Sequence, residues 1–500
     1  MRNKNTKMAI LPLNCKVLLV RKTRLYTIVR QNDTCEVIMK RKNAWESYSE
    51  KERNRVFDFA EKYRLFISEN KTERLAASTA IKLAQDAGYV SLDEARKRGK
   101  LAAGDKVYAH IFGKSVLLAH IGTKPLEDGL NILGAHIDSP RLDIKQNPLF
   151  EQEDLALLDT HYYGGIKKYQ WVTLPLALHG VVAKKDGSLV QIHIGDNPED
   201  PVFCVTDLLI HLAQEQMQKK ANVVVEGEQL DVLVGGIPLA QNEDAEEKEA
   251  VKAGVLRILN DRYGIDEEDF LSAEIEVVPA GDARNLGFDS SMIIGYGHDD
   301  RSCAYPSLIA QLEAQDLTRT GICLLVDKEE IGSVGATGMT SRFFENTIAE
   351  LMHLAGEDTN LGLRRCLARS NMLSSDVSAG FDPSYASAFE AKNAAFLGRG
   401  IVFNKFTGSR GKSGSNDANA EYMATIRHIM DEAGVYFQTA ELGKVDLGGG
   451  GTIAYILAEY GMNVIDAGVP VLNMHSPWEI LNKADLYEAL KAYRAFLQYA

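Results

Sequence analysis

Two histidines and several carboxylates in this 500-residue chain stand at or just beyond the ends of short apolar runs. Gly134-Ala135-His136-Ile137-Asp138 closes the run Ile132–Ala135. His136 and Asp138 are two apart, so in extended chain they share a face, and Asp138 can reach the imidazole edge and fix its tautomer. Gly297-His298-Asp299-Asp300-Arg301 sets two acids beside an arginine, which by itself reads equally as a solvated turn. Gly321–Val326 runs into Asp327-Lys328-Glu329-Glu330 and a loop holding Gly332, Gly335 and Gly338. Ligands of open α/β sheets sit beyond the carboxyl ends of strands. Adjacent side chains diverge there, so one glutamate can hold a metal while the other faces a substrate water. Ser374-Ser375-Asp376 follows the strand-like run Cys366–Leu373, and Val471-Leu472-Asn473-Met474-His475 ends another apolar run. Taken singly, each is satisfied as a hydrogen-bonded structural residue or a solvated acid. Together they offer imidazole and carboxylate donors with no competing cysteine, the donor set of zinc, manganese or cobalt. Five such ligands, one of them a shared carboxylate, suit a pair of ions.

Two glycine-rich stretches point elsewhere. Gly408-Ser409-Arg410-Gly411-Lys412-Ser413 approximates a phosphate-binding loop, but Phe406 stands where that pattern needs its first glycine. Gly448 to Gly451 would let backbone N–H groups approach an anion, or would simply form a turn.

The elements that position these residues follow from periodicity. Residues 40–100 read as helical, with a stripe at Ala76, Ala80, Leu83, Ala84 and Ala87 ending at Gly88. Asp105–Ile121 reads as a strand pair around Gly113. The runs Ile132–Ala135, Ile322–Val326 and Val464–Ile465 are too short for helices and too apolar for one-sided strands. They fit strands buried on both faces of a mixed or parallel α/β sheet flanked by helices. Lys483–Tyr499 carries Leu486, Leu490, Tyr493 and Leu497 on one side and reads as a closing helix. Residues 141–285 differ in character. Gly180–Ile194 reads as a hairpin around Asp186-Gly187, Leu230–Val234 and Ile275–Val278 are strand-like, and Glu243–Glu249 is an acidic run of solvated loop. This middle part reads as a β-rich insertion.

Bulk composition bounds the function. Hydrophobic residues at 45% and charged residues at 25% describe a globular protein with ample core. A net charge of −13 argues against nucleic acid or anionic membrane as partner. No apolar run is long enough to span a bilayer. Six cysteines without a CxxC pair fit a reducing, cytoplasmic setting. Residues 1–38 hold eight Lys/Arg and two acids, with apolar patches broken by Lys16. They read as an N-terminal extension outside the mature fold, with Met39 as the working start; a basic transit-like segment is the alternative.

The ordered set GAHIDSP, GHDDR, DKEEIGS, SSD and NMHSP resembles the aspartyl aminopeptidase family of dinuclear metallopeptidases, called M18, and is most similar to its bacterial branch. The resemblance runs from about residue 40 to residue 500. It implies two divalent ions per subunit, zinc with cobalt or manganese as alternatives. One would be held by His136, Asp299 and Asp376, the other by Asp299, Glu330 and His475, with Asp299 bridging. It implies Glu329 as general base toward a water shared by the two ions, and Asp138 as support for His136. The activity implied is hydrolysis of N-terminal residues from peptides. The layout implied is a discontinuous catalytic domain, residues 39–140 and 286–500, with residues 141–285 as an inserted dimerisation domain, and a homo-oligomer, a dodecamer built from dimers.

The chain departs from the family at its specificity positions. Eukaryotic members send a histidine from a neighbouring subunit into the site, on a segment like Val205–Leu212; here Asp207 takes that place, followed by His211. A lysine that reads acidic substrates falls near Gly400–Phe406, where Lys405 is the nearest candidate. The acidic chain would also repel acidic peptides at long range, so a strict acidic preference is not expected. Two other readings remain open. A dinuclear deacylase of N-acyl amino acids would use the same strand-end ligands. A non-catalytic metal-binding scaffold would have no use for a second glutamate beside Glu330.

Overall fold

The structure is a computed structural model that describes residues 42–239 and 249–500, together with four short strands between Val20 and Ile38. Apart from those strands, the extension read over residues 1–38 lies outside the described residues, as does most of the acidic run at Glu243.

Four parallel strands form the middle of a nine-stranded sheet, in the order Asn463–Gly468, Asn371–Ser374, Asn131–His136 and Gly321–Val326. Antiparallel strands Ser115–His120 and Ile401–Asn404 flank them, so the sheet is mixed and mostly parallel. Strands Asn131–His136 and Gly321–Val326 are buried along their whole length. Side chains alternate between two faces, so one strand feeds two cores. Leu133, Ala135, Cys323 and Leu325 pack with helices Glu50–Glu69, Glu73–Asp86, His298–Glu313, Ala420–Glu432 and Lys483–Tyr499. Ile132, Ile322, Leu324 and Val326 pack on the opposite face with Phe343–Leu354, Asn360–Ala368 and Ala454–Ala458. The result is a sheet with helices on both sides.

Local signals set the helix ends. Ser49 and Glu52 form a reciprocal capping box on the first helix, and the Thr72 hydroxyl caps the second at Leu75. Two stretches differ from the sequence reading. Cys366 belongs to helix Asn360–Ala368, and only Asn371–Ser374 is strand. Buried Gly362 lies about one helical turn before buried Cys366 and Leu367, while Arg364 and Arg365 between them point out, a 3.6-residue period that the short apolar run disguised. The middle segment also contains a helix, Ala250–Tyr263, that periodicity had not revealed.

Register brings the strand ends level. Val326 pairs with His136, and Ser374 pairs with both Gly134 and Asp466. The segments beyond these carboxyl ends therefore emerge at one edge. A five-stranded sheet closes that edge, in the order Arg284–Leu286, Met292–Gly295, Glu479–Asn482, Pro470–Leu472 and Ser378–Ala379. Gly295 pairs with Glu479, which sets the start of the Asp299 segment beside the turn carrying His475.

A third sheet of seven antiparallel strands is drawn wholly from residues 141–279. Its apolar core, around Leu142, Trp171, Leu176 and Val277, is its own, and helix Ala250–Tyr263 packs on it.

Gly468 has a packing reason to lack a side chain. A Cβ there would lie 1.8 Å from the Asp376 carbonyl oxygen. Gly468→Ala should force the Asp376 turn aside and cost about 1–3 kcal/mol, the usual range for overpacking a core. Thermal denaturation beside the parent protein would read this as a lowered Tm.

Candidate metal centre

Each residue singled out as a ligand arrives on its own element. His136 is the last residue of its strand. Glu329 and Glu330 begin a tight turn after Gly321–Val326, and Asp376 follows Asn371–Ser374 by two residues. His475 follows Pro470–Leu472. Asp299 lies at the entry to helix His298–Glu313, where it and Asp300 are non-helical and joined by a cis peptide. The solvated-turn reading of that pair is overturned: His298, Asp299, Asp300 and Arg301 are all buried.

The five side chains converge. His136 Nε2 lies 3.1 Å from Asp299 Oδ1, and His475 Nε2 lies 3.3 Å from Asp299 Oδ2 and 3.4 Å from Glu330 Oε2. The donor atoms of His136, Asp299 and Asp376 fall within 4.8 Å of one another, as do those of Asp299, Glu330 and His475. Asp299 is common to both groups and turns one oxygen to each histidine. Glu329 lies within the same distance of His136 and Glu330, between the two groups.

The histidines are oriented from behind. His136 Nδ1 lies 3.2 Å from Asp138 Oδ1, and His475 Nδ1 lies 3.0 Å from the Gly165 carbonyl. Holding Nδ1 in this way leaves Nε2 of each ring for a metal. Asp138 does more than face His136. It also accepts the backbone N–H of Glu329 and Glu330 at 3.1 and 3.2 Å, and the Tyr163 hydroxyl donates to it at 2.8 Å. One buried carboxylate thus joins the His136 and Glu329–Glu330 segments.

Glu479 was not foreseen and has the matching role on the other side. Its two oxygens accept the backbone N–H of Asp299 at 3.0 Å and of His475 at 2.7 Å. It stands four residues after His475 in strand Glu479–Asn482; a buried acid on a strand was the available signal. The neighbours of Asp299 also support ligands. Asp300 accepts from the His136 backbone at 3.3 Å, Arg301 donates to the Ile137 carbonyl at 3.1 Å, and His298 Nδ1 meets the Tyr63 hydroxyl at 2.7 Å.

The specificity candidates sit elsewhere. Lys405 pairs with Asp417 at 2.5 Å, and Lys412 shares that carboxylate. Lys405 follows a strand that runs antiparallel to the ligand-bearing ones: Val402 pairs with Gly468 and Asn404 with Asp466, so the chain is leaving the metal edge when it reaches Lys405. Asp207 accepts bonds from the Leu208 backbone and Gln216 within an exposed loop, and His211 is exposed beside it. Packing accounts for the first half of the glycine run: a Cβ on Gly448 would lie 1.7 Å from the Leu442 carbonyl oxygen, and Gly449 lies against the backbone of Gly408 and Ser409.

The electrostatics call for cations. Burial raises Glu330 well above its ordinary range, and the Asp299 charge adds to the effect; burial does the same to Asp376, with Asp300 adding. Glu330 Oε1 is buried without a hydrogen-bond partner. Among the described residues no lysine or arginine forms an ion pair with Asp299, Glu330 or Asp376. Nitrogen and oxygen donors around an excess of buried negative charge fit divalent metal.

A family model described as aminopeptidase I zinc metalloprotease (M18) matches residues 66–497. The chain belongs to the M18 family. It is a metallo-aminopeptidase, a hydrolase of the zinc metalloprotease class. This M18 chain is 58% identical over 463 residues to a probable M18 family aminopeptidase 1 of Clostridium acetobutylicum, covering 92% of this chain and 99% of that protein. The crystal structure of the Thermotoga maritima M18 aminopeptidase superposes with a TM-score of 0.87 at 45% identity, covering 92% of this chain and all of that one. The yeast mApe1 dodecamer, at 19% identity and a TM-score of 0.70 over 89% of this chain and 97% of that one, shares the fold.

Removing metal should expose the charge problem as a pH dependence. Without ions, burial and then neighbouring charge hold Glu329 up to about 7 and Glu479 up to about 8, from an ordinary 4.5. His475 is lowered by burial, but its bond to Asp299 and the charges of Glu330 and Asp299 outweigh this and push it up to about 10. Each folded value lies above its unfolded one, so each contribution to stability is present at low pH and lost as pH rises through the folded value. The Tm of metal-stripped protein should therefore fall between about pH 5 and about pH 9, and added Zn²⁺ should restore it most at the alkaline end. A pH series of melts with and without metal checks this.

Proposed function

We propose that the aminopeptidase centre of this chain holds two divalent ions, zinc in the working enzyme, one on His136, Asp299 and Asp376 and the other on Asp299, Glu330 and His475. The observation that carries this reading is the division of Asp299, whose two oxygens each approach a different histidine. When bound, the ions would polarise the scissile carbonyl and lower the pKa of a water between them.

The chain's own residues supply the proton handling. Glu329 is the general base: it lies between the two groups, beside His136 and Glu330, where a carboxylate can take a proton from a water and return it to the leaving amine. Asp138 is a positioning residue. It holds the His136 ring and presents the Glu329 and Glu330 backbone from one point. Free α-amino peptides are the substrates, the amine being the group that an acid-rich pocket would retain. No strict acidic preference is proposed, since Lys405 is engaged by Asp417 away from the metal edge.

The inserted segment, residues 141–285 within a catalytic domain of residues 39–140 and 286–500, is proposed as the dimerisation domain. It has its own sheet and core, and it exposes Leu208, Leu209, Ile210 and Leu212 together in one loop. Such a patch is expensive to leave in water. Assembly of dimers into a dodecamer is the proposed state, as in the yeast mApe1 dodecamer of the same fold. Cys204, Cys303, Cys323 and Cys366 are free thiols, in keeping with a cytoplasmic setting. No helix among the described residues is long and apolar enough to cross a membrane.

Glu329→Gln should keep its metal content and lose about 10²–10⁴-fold in kcat on free-amine peptides, with N-acetylated versions untouched by either protein. Metal loss in this variant, or full activity, would remove the base assignment. For assembly, Ile210→Asp is expected to shift sedimentation velocity toward smaller species, because it places a charge in the exposed apolar loop.

A further inference from the structure

A second set of metal-ligating side chains lies on the seven-stranded sheet. His179 and His193 are directly opposite each other in the antiparallel pair Leu176–Ala183 and Leu189–Ile194. Opposed residues project from the same face. The two imidazoles accordingly lie with centroids 4.4 Å apart. Asp196, three residues beyond His193, turns one oxygen into the gap. Its Oδ2 is 2.8 Å from His179 Nε2 and 3.1 Å from His193 Nε2.

We propose that His179, His193 and Asp196 form a third binding site for a divalent transition-metal ion of the zinc class, separate from the catalytic pair. Three observations support it. First, one ligand atom from each of the three side chains lies within 4.8 Å of the others, as in the catalytic groups. Bonds of about 2.0–2.1 Å in tetrahedral geometry put neighbouring ligand atoms about 3.3 Å apart, so His193 and Asp196 at 3.1 Å are already near that spacing and the 2.8 Å between His179 and Asp196 has to open by a few tenths of an ångström around an ion. Second, His179 is enclosed, with the Asp196 carboxylate against its Nε2. Its side chain is 1% exposed, yet neither ring nitrogen makes a well-formed hydrogen bond. Third, the Asp196 carboxylate is held in orientation. The Lys71 ammonium occupies Asp196 Oδ1 and also donates to the Pro279 carbonyl at 2.9 Å, so Oδ2 is left to face the rings.

The site has an open side. His193 is about half exposed, so solvent or a fourth donor can complete the coordination from that direction. It also has a place in the fold. Lys71 sits just before helix Glu73–Asp86, which packs against the central sheet, whereas the three ligands belong to the seven-stranded sheet. An ion here would brace the hairpin and the Asp196 turn against which Lys71 packs, and its role is structural.

The test uses the full-length holoenzyme. Wild type, His193→Ala and His475→Ala are equilibrated with the same buffered free Zn²⁺, and bound zinc per chain is counted by mass spectrometry. His193 is exposed and outside the catalytic cluster, so its variant should fold and retain peptidase activity. The expected result is one ion fewer per chain in His193→Ala than in wild type, and an independent loss in His475→Ala. Cobalt-loaded protein should show a matching loss of tetrahedral visible absorption in the wild type minus His193→Ala difference spectrum. Equal zinc counts in wild type and His193→Ala, or a flat difference spectrum, would overturn the site. The His475→Ala count reports on the catalytic ions alone, so failure of either assignment is told apart from failure of the other.

Discussion

The structure is organised around the mutual repulsion of buried carboxylates. Asp299, Glu329, Glu330 and Asp376 are drawn to one edge of the central sheet, where water cannot screen them. Cations can offset that cost, but only if the acids are held in place before the cations arrive. The fold does this with backbone N–H donors and two further acids that are not themselves in the ligand groups. Asp138 gathers the Glu329–Glu330 turn and the first histidine; Glu479 gathers Asp299 and the second. Asp138 is buried too, but its bonds to His136 and the Tyr163 hydroxyl hold its carboxyl below the ordinary range, whereas burial and the Asp299 charge raise Glu479, so only the first stays readily ionised without a cation nearby.

Sheet register makes this economical. Because Gly321–Val326, Asn131–His136 and Asn371–Ser374 are parallel and aligned, three ligand segments leave the sheet at the same level with no special loop design. The small five-stranded sheet then performs the harder task. It brings in Asp299, which follows no central strand, by pairing Gly295 with Glu479. The seven-stranded sheet also reaches the centre, through Tyr163 on Asp138 and Gly165 on His475.

Much of this was legible in the sequence because buried parallel strands leave a strong mark. Ile132–Ala135 and Ile322–Val326 could be little else, and although one acid or histidine after such a run is bland, several of them after separate runs are not. The Asp138–His136 pairing followed from strand periodicity alone. The features that escaped notice were long-range or disguised. Glu479 acts through two backbone groups on other segments, and no local pattern announces that. Gly165 contributes only a carbonyl, which carries no residue signature. The run through Cys366 misled because apolar residues one helical turn apart look continuous when the stretch is short. Asp299 and Asp300 resembled a surface turn because their burial depends on a sheet formed by residues almost two hundred positions downstream.

The same wiring gives metal uptake a place in the life of the molecule. The converging histidines and carboxylates extend from His136 to His475, and the Glu479 link that seats Asp299 is made by one of the last strands of the chain. Contacts so distant in sequence form late in folding. A polypeptide whose final strand has not docked has neither the second histidine in position nor the support for the shared aspartate. Metal uptake would then report on the whole chain, since it requires the last strands to have docked.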